Sequence, residues 1–193
     1  MRSFTLKLYL GDIMLWFNKE LLKEYKNDYQ IKKAVEEGKL FLIAKGLYSD
    51  VEKGNPIEII TKKYPRAIFS SDYAYYIYNL TDVIPRKYYL TTDRDANKIK
   101  DENITQIYST SELLNIGEAT IEYEGVVINI YDKERMLIEL FRNSKSMPLD
   151  YYKEIVNSYR KIVNKLDFSK IANYLNLFND KGFLYDKIQK EVL

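Results

Sequence analysis

Apolar positions along the first third of the chain change period twice. Between Leu6 and Phe17 they recur at helical spacing, interrupted by Gly11 and Asp12. Asn18 then caps a second predicted helix over 19–25, and Lys26-Asn27-Asp28 forms a tight polar turn. Asp28 caps a third helix over 29–37, in which Ile31, Ala34 and Val35 form one apolar stripe, directed at Leu21 and Leu22. Gly38 suits the left-handed position that ends such a helix. Strand-like runs 39–43 and 47–49 follow, joined through Lys45-Gly46, as a β-hairpin. Helix, short turn, helix and hairpin is the order of a winged helix-turn-helix.

A cluster of Gly54, Asn55 and Pro56 marks the expected boundary, which gives a DNA-binding domain over 1–55 and a second domain over 56–193. A short helix over 57–63 opens the second domain. Ser70 or Ser71 caps a helix over 72–79, and 87–92, 104–108, 119–123 and 126–131 read as strands. Glu124-Gly125 between the last two is a hairpin turn. Asp132 caps a helix over 133–142, and helices over 149–165, 168–178 and 183–192 form a helical tail. The expected fold class is α+β: a winged helix-turn-helix followed by a mixed α/β domain with a C-terminal helical tail.

Composition narrows the chemistry. The 193 residues contain no cysteine and no histidine, which removes disulfides, thiolate zinc sites, cysteine nucleophiles and imidazole acid–base catalysis. No run reaches the ~20 apolar residues of a membrane span, so a soluble, cytoplasmic protein is expected. Charge is uneven: residues 1–66 hold 13 Lys/Arg against 9 Asp/Glu, a net +4, while the remainder carries −2. A basic front end points to a polyanionic partner.

The third helix carries Tyr29, Gln30, Lys32 and Lys33 opposite its apolar stripe. At the N-terminal end of a recognition helix these side chains reach base edges in a major groove, where Gln pairs with adenine and Lys donates to guanine. Lys45 at the wing tip, and Lys23 and Lys26 on or after the second helix, suit backbone contacts. Arg86, Lys87 and Arg94 flank the strand over 87–92 and extend the candidate DNA-binding set. Asp72, Asp82, Asp93 and Asp95 lack a spacing that demands a metal, and Arg135 with Glu139 reads as a surface i,i+4 pair. No cofactor or metal site is expected.

The run from Tyr29 to Tyr48, YQIKKAVEEGKLFLIAKGLY, resembles the N-terminal domain of AbiEi-type antitoxins, with a helix, a Gly-x-Leu step and a strand closing on Lys-Gly-x-Tyr. The likeness continues through IFSSDYAYYIYNLTDVIP, from Ile68 to Pro85, and DKERMLIELFR, from Asp132 to Arg142. It covers most of residues 15–145. The resemblance implies a non-enzymatic antitoxin and transcriptional autorepressor of a bacterial toxin–antitoxin phage-defence operon. In that family the first domain binds inverted repeats in double-stranded promoter DNA. The second counteracts a nucleotidyltransferase-like toxin without a stable complex. The alternative is a metal-dependent nuclease or transferase carrying a DNA-targeting winged helix.

Overall fold

The structure, a computed structural model, describes residues 14–193. The chain is mixed α+β with two separate sheets and divides into two compact units, 1–65 and 66–193.

The first unit runs β1 (Leu15–Phe17), α1 (Asn18–Leu21), α2 (Asp28–Glu36), β2 (Phe41–Ala44), β3 (Leu47–Ser49) and α3 (Pro56–Lys63). Its strands form an antiparallel sheet in the order β1-β3-β2. The expected helix over 6–17 lies largely outside the described residues; its last three positions are strand β1. Leu15-Trp16-Phe17 pair with Leu47 to Ser49, and this pairing outweighs the helical spacing of their side chains. The second helix is shorter than expected, four residues instead of seven. The third helix matches, with its cap moved by one residue: the Asn27 side chain accepts from the Gln30 N–H at 3.1 Å, and Asp28 is the first helical residue. Gly38 and Gly46 take φ +67° and +73°, the left-handed geometry that ends α2 and turns the hairpin.

A small core holds this unit together. Leu21, Ile31, Ala34 and Leu40 are buried, with Trp16, Tyr25, Val35 and Tyr48 packed around them. Leu22, expected to join them, is 44% exposed: α1 ends at Leu21, and the turn carries the next residue outward.

The division falls at 65/66, not 55/56. Helix α3 belongs to the first unit. Asn55 caps it, Pro56 starts it, and Ile57 and Ile60 are buried. Lys62 reaches Glu20 at 3.2 Å and lies over the Phe17 ring. The Gly-Asn-Pro cluster is a helix start inside a domain, and a turn signal cannot distinguish that from a linker.

The second unit contains a five-stranded mixed sheet, in the order β6 (Ile104–Ser109), β5 (Tyr88–Asp93), β4 (Ile68–Phe69), β8 (Val126–Tyr131), β7 (Glu118–Tyr123). The expected strands are all present; the two-residue β4 was not anticipated, nor was the one-turn helix α5 (Ser111–Leu114). Glu124 and Gly125 both have positive φ, the geometry of a two-residue hairpin turn. Helix α4 (Ser71–Ile77) follows β4. Helix α6 (Lys133–Asn143) runs through the core, buried from Glu134 to Ile138 and at Leu140 and Phe141. Helices α7 (Leu149–Ile162), α8 (Phe168–Leu175) and α9 (Lys181–Glu191) complete the unit, each amphipathic around residues such as Ile155, Tyr159, Ile171 and Leu184. No helix of the described residues is long and apolar enough to cross a membrane.

Candidate nucleic-acid interface

Burial of Ile31 and Ala34 fixes the rotation of α2. At 100° per residue, Tyr29, Lys32, Lys33 and Glu36 then fall on the opposite side, and all four are exposed. Tyr29, at 74% exposure, stands out from the first turn. Lys32 makes no ion pair among the described residues. Lys33 lies 3.8 Å from Glu37, which Lys39 also bonds. The Lys39 ammonium, ahead of Lys33, holds the Glu37 carboxyl below its ordinary range. Lys33 therefore offers a partly compensated charge and Lys32 a freer one. Glu36 sits seven residues beyond Tyr29, ~10 Å along the axis, but only one turn beyond Lys32, so the acidic end of this face is separated from Tyr29 and adjoins the lysines.

Gln30 is exposed, yet its side-chain oxygen accepts from the Lys26 N–H at 3.1 Å. That bond closes the turn between the helices. A two-point contact with adenine requires it to open first. Lys23 and Lys26 are exposed on that turn. The turn is braced again where the Asn18 amide donates to Asp28 at 3.1 Å.

The hairpin is compact. Ala44 and Leu47 are cross-strand partners, leaving Lys45 and Gly46 as the whole turn, and the Asn18 N–H donates to the Gly46 carbonyl at 3.0 Å. Lys45 is exposed at this turn and extends by its own side-chain length instead of on a long wing. Glu20 locks the junction behind it: the Phe17 N–H donates to its carboxylate at 2.6 Å, and this bond, more than Lys62, keeps its carboxyl below the usual range.

In the second unit, Arg86 and Lys87 precede β5 and Arg94 follows it; all three are exposed. Six strand residues put ~20 Å between the two ends. The three flank the strand and lie at its two ends.

Sequence reasoning also missed a buried charge network in the second unit. Arg135, expected on the surface, is only 2% exposed because α6 lies in the core. Its guanidinium sits between the rings of Tyr131 and Phe178, at 4.7 and 5.0 Å from their centroids. It donates to the Leu113 and Ile116 carbonyls, both at 3.0 Å, and to Glu139 at 2.9 Å. Arg142 shares Glu139 and stacks on Phe178. Asp132 caps α6 through the Arg135 N–H and also accepts from Tyr174 and Lys170. The i,i+4 spacing of Arg135 and Glu139 was readable; only the amphipathic context of both neighbouring elements could have shown that the pair is covered.

No protein-family model matches the chain, and no curated protein matches it. The functional reading therefore rests on the geometry and on the resemblance described above.

Proposed function

We propose that residues 14–65 act as a winged helix-turn-helix that binds duplex DNA, and that the protein is an antitoxin and autorepressor of its own operon. The observation that carries this reading is the outward face of α2. Tyr29, Lys32 and Lys33 project together from a helix whose other side is fixed by Ile31 and Ala34. The order strand, helix, turn, helix and hairpin, with the sheet order β1-β3-β2, supports it.

The roles follow from position. Helix α2 enters a major groove with Tyr29 and Lys32 nearest the base edges, Tyr29 offering a ring to a thymine methyl and a hydroxyl to a base or phosphate. Lys33, Lys23, Lys26 and Lys45 contact phosphates, which adds affinity without sequence preference. Two copies on an inverted repeat occupy successive half-sites and block transcription. The second unit, by the same family resemblance, counteracts a nucleotidyltransferase-like toxin encoded beside it and performs no catalysis itself.

A gel-shift titration with the DNA upstream of its own gene tests the reading. A sequence-specific, salt-sensitive shift is expected, and it should be lost in a Lys32→Ala/Lys33→Ala variant of unchanged circular dichroism. A shift that survives the double substitution removes α2 as the reader. Magnesium-dependent cleavage of the probe would replace the repressor by a DNA-targeted nuclease.

A further inference from the structure

The second unit contains a cavity of about 950 Å³, large enough for a metabolite-sized ligand. Its lining is drawn from the sheet, from the start of α4, and from α6 and the segment that follows it.

One part of the lining is cationic. Arg135 and Arg142 share the single carboxylate of Glu139, which leaves one positive charge uncompensated within the trio. Arg135 is fully committed to Glu139 and to two backbone carbonyls. Arg142 is not. Only its Nη1 is bonded among the described residues, leaving Nε and Nη2 as adjacent donors. The Phe178 ring, 4.7 Å from the guanidinium carbon, holds its plane. A planar donor pair held in place matches the oxygens of a phosphate monoester.

A second part carries the opposite character. The Asp72 carboxylate lines the cavity next to Ser71, a non-glycine residue held at φ +49°. Strain of that kind collects at functional sites. The buried hydroxyls of Ser70 and Thr91 share a hydrogen bond of 2.7 Å in the same wall. Tyr151 also lines the cavity, and its buried hydroxyl faces the Asp72 carboxylate. Burial, and then the nearby Asp72 charge, push its proton affinity up, so it stays a neutral donor. The remaining wall includes Ile107 and Met147, apolar surface for a flat ring.

We propose that this cavity binds a nucleoside monophosphate, its phosphate on Arg142 and the donor groups of its sugar or base on Asp72. An inorganic anion would leave Asp72 and the apolar wall unused, and an uncharged nucleoside would leave Arg142 unused. The site lies wholly within the second unit and does not depend on the DNA reading.

Isothermal titration of the full chain with AMP, GMP, CMP and UMP in turn tests this. Saturable one-to-one binding of at least one is expected, weakened tenfold or more in Arg142→Gln and unchanged in Lys32→Ala. Ile107→Trp, which fills the cavity without touching the arginine network, should weaken the same nucleotide; it decides the matter should Arg142→Gln lose its native circular dichroism. No saturable heat up to several millimolar with any of the four overturns the proposal. So does undiminished binding in a folded Arg142→Gln or Ile107→Trp variant. Inorganic phosphate or adenosine binding as tightly as the best nucleotide would also overturn it, by reducing the site to an anion or a ring pocket.

Discussion

Substituting Arg135 by methionine keeps most of the side-chain volume and removes the charge. In the native protein this guanidinium is 2% exposed, is stacked between two rings and has its hydrogen bonds taken by Glu139, Leu113 and Ile116. Methionine leaves two backbone carbonyls without their donor and leaves Glu139, 18% exposed, with Arg142 as its remaining cation. Breaking one side of such a pair costs about 3–5 kcal/mol. The expected loss is at the lower end of that range, because Arg142, at 36% side-chain exposure, can move with the carboxylate and keep it partly compensated. Urea denaturation followed by far-UV circular dichroism measures it. A second change, Glu139→Gln on top of Arg135→Met, removes the carboxylate that has lost its buried partner and that Arg142 only partly compensates, and should recover ~1–2 kcal/mol as a coupling between neighbouring sites. The orphaned carbonyls prevent full recovery, since each unpaired buried acceptor costs ~1–3 kcal/mol. A loss below ~1 kcal/mol for Arg135→Met, or strict additivity of the two changes, would refute the view that this network is buried and mutually dependent.

Other outcomes follow from local geometry. Gly46→Ala places a Cβ in open space at φ +73°, so only the left-handed backbone penalty of ~1–2 kcal/mol is expected, read by fluorescence of Trp16, the sole tryptophan. Gly117→Ala should cost more: the same penalty at φ +77° is joined by a Cβ that collides with the Arg135 Cβ, adding ~1–3 kcal/mol of overpacking. Equal losses at the two glycines would contradict the close approach. Burial works to raise the Glu191 carboxyl, but bonds from Lys187 and Tyr152 outweigh it and hold the group below its ordinary value of 4.5. A depressed carboxyl contributes stability above its unfolded pKa and loses it as pH falls through the folded one. Glu191→Gln should therefore destabilise at neutral pH, with the difference from the native protein shrinking as pH falls below 4.5, measured by urea midpoints across that range. A difference that persists at low pH would mean the tie between α7 and α9 is not ionic.

The hairpins, the capped α6 and the helical tail were legible because their signals are local. Lys45-Gly46 and Glu124-Gly125 are turns for a backbone reason, and Asp132 caps by reaching the Arg135 N–H three residues on. The rotation of α2 was legible as well, since Ile31 and Ala34 define its buried side from spacing alone. What escaped depends on partners distant in sequence. Leu15-Trp16-Phe17 become a strand only because β3, some thirty residues later, offers them a partner. Helix α3 joins the first unit through Glu20 and Lys62, which no linker signal reveals. Arg135 reads as exposed until Phe178, far along the chain, is known to cover it. Within the candidate interface, exposure of Tyr29, Lys32 and Lys45 was foreseeable. The bond from Lys26 to Gln30 was not.

The proposed DNA binding turns on the Tyr29–Lys32 side of α2. Its most direct measurement is fluorescence anisotropy of the native upstream duplex against a scrambled one, across a range of salt, for the native protein and for Tyr29→Ala and Lys45→Ala. The native protein should prefer the upstream duplex and lose affinity steeply with salt. Lys45→Ala should weaken both duplexes alike and flatten the slope by about one unit, and Tyr29→Ala should erode the preference while leaving the slope. Equal affinity for the two duplexes, or a preference untouched by Tyr29→Ala, would contradict the account.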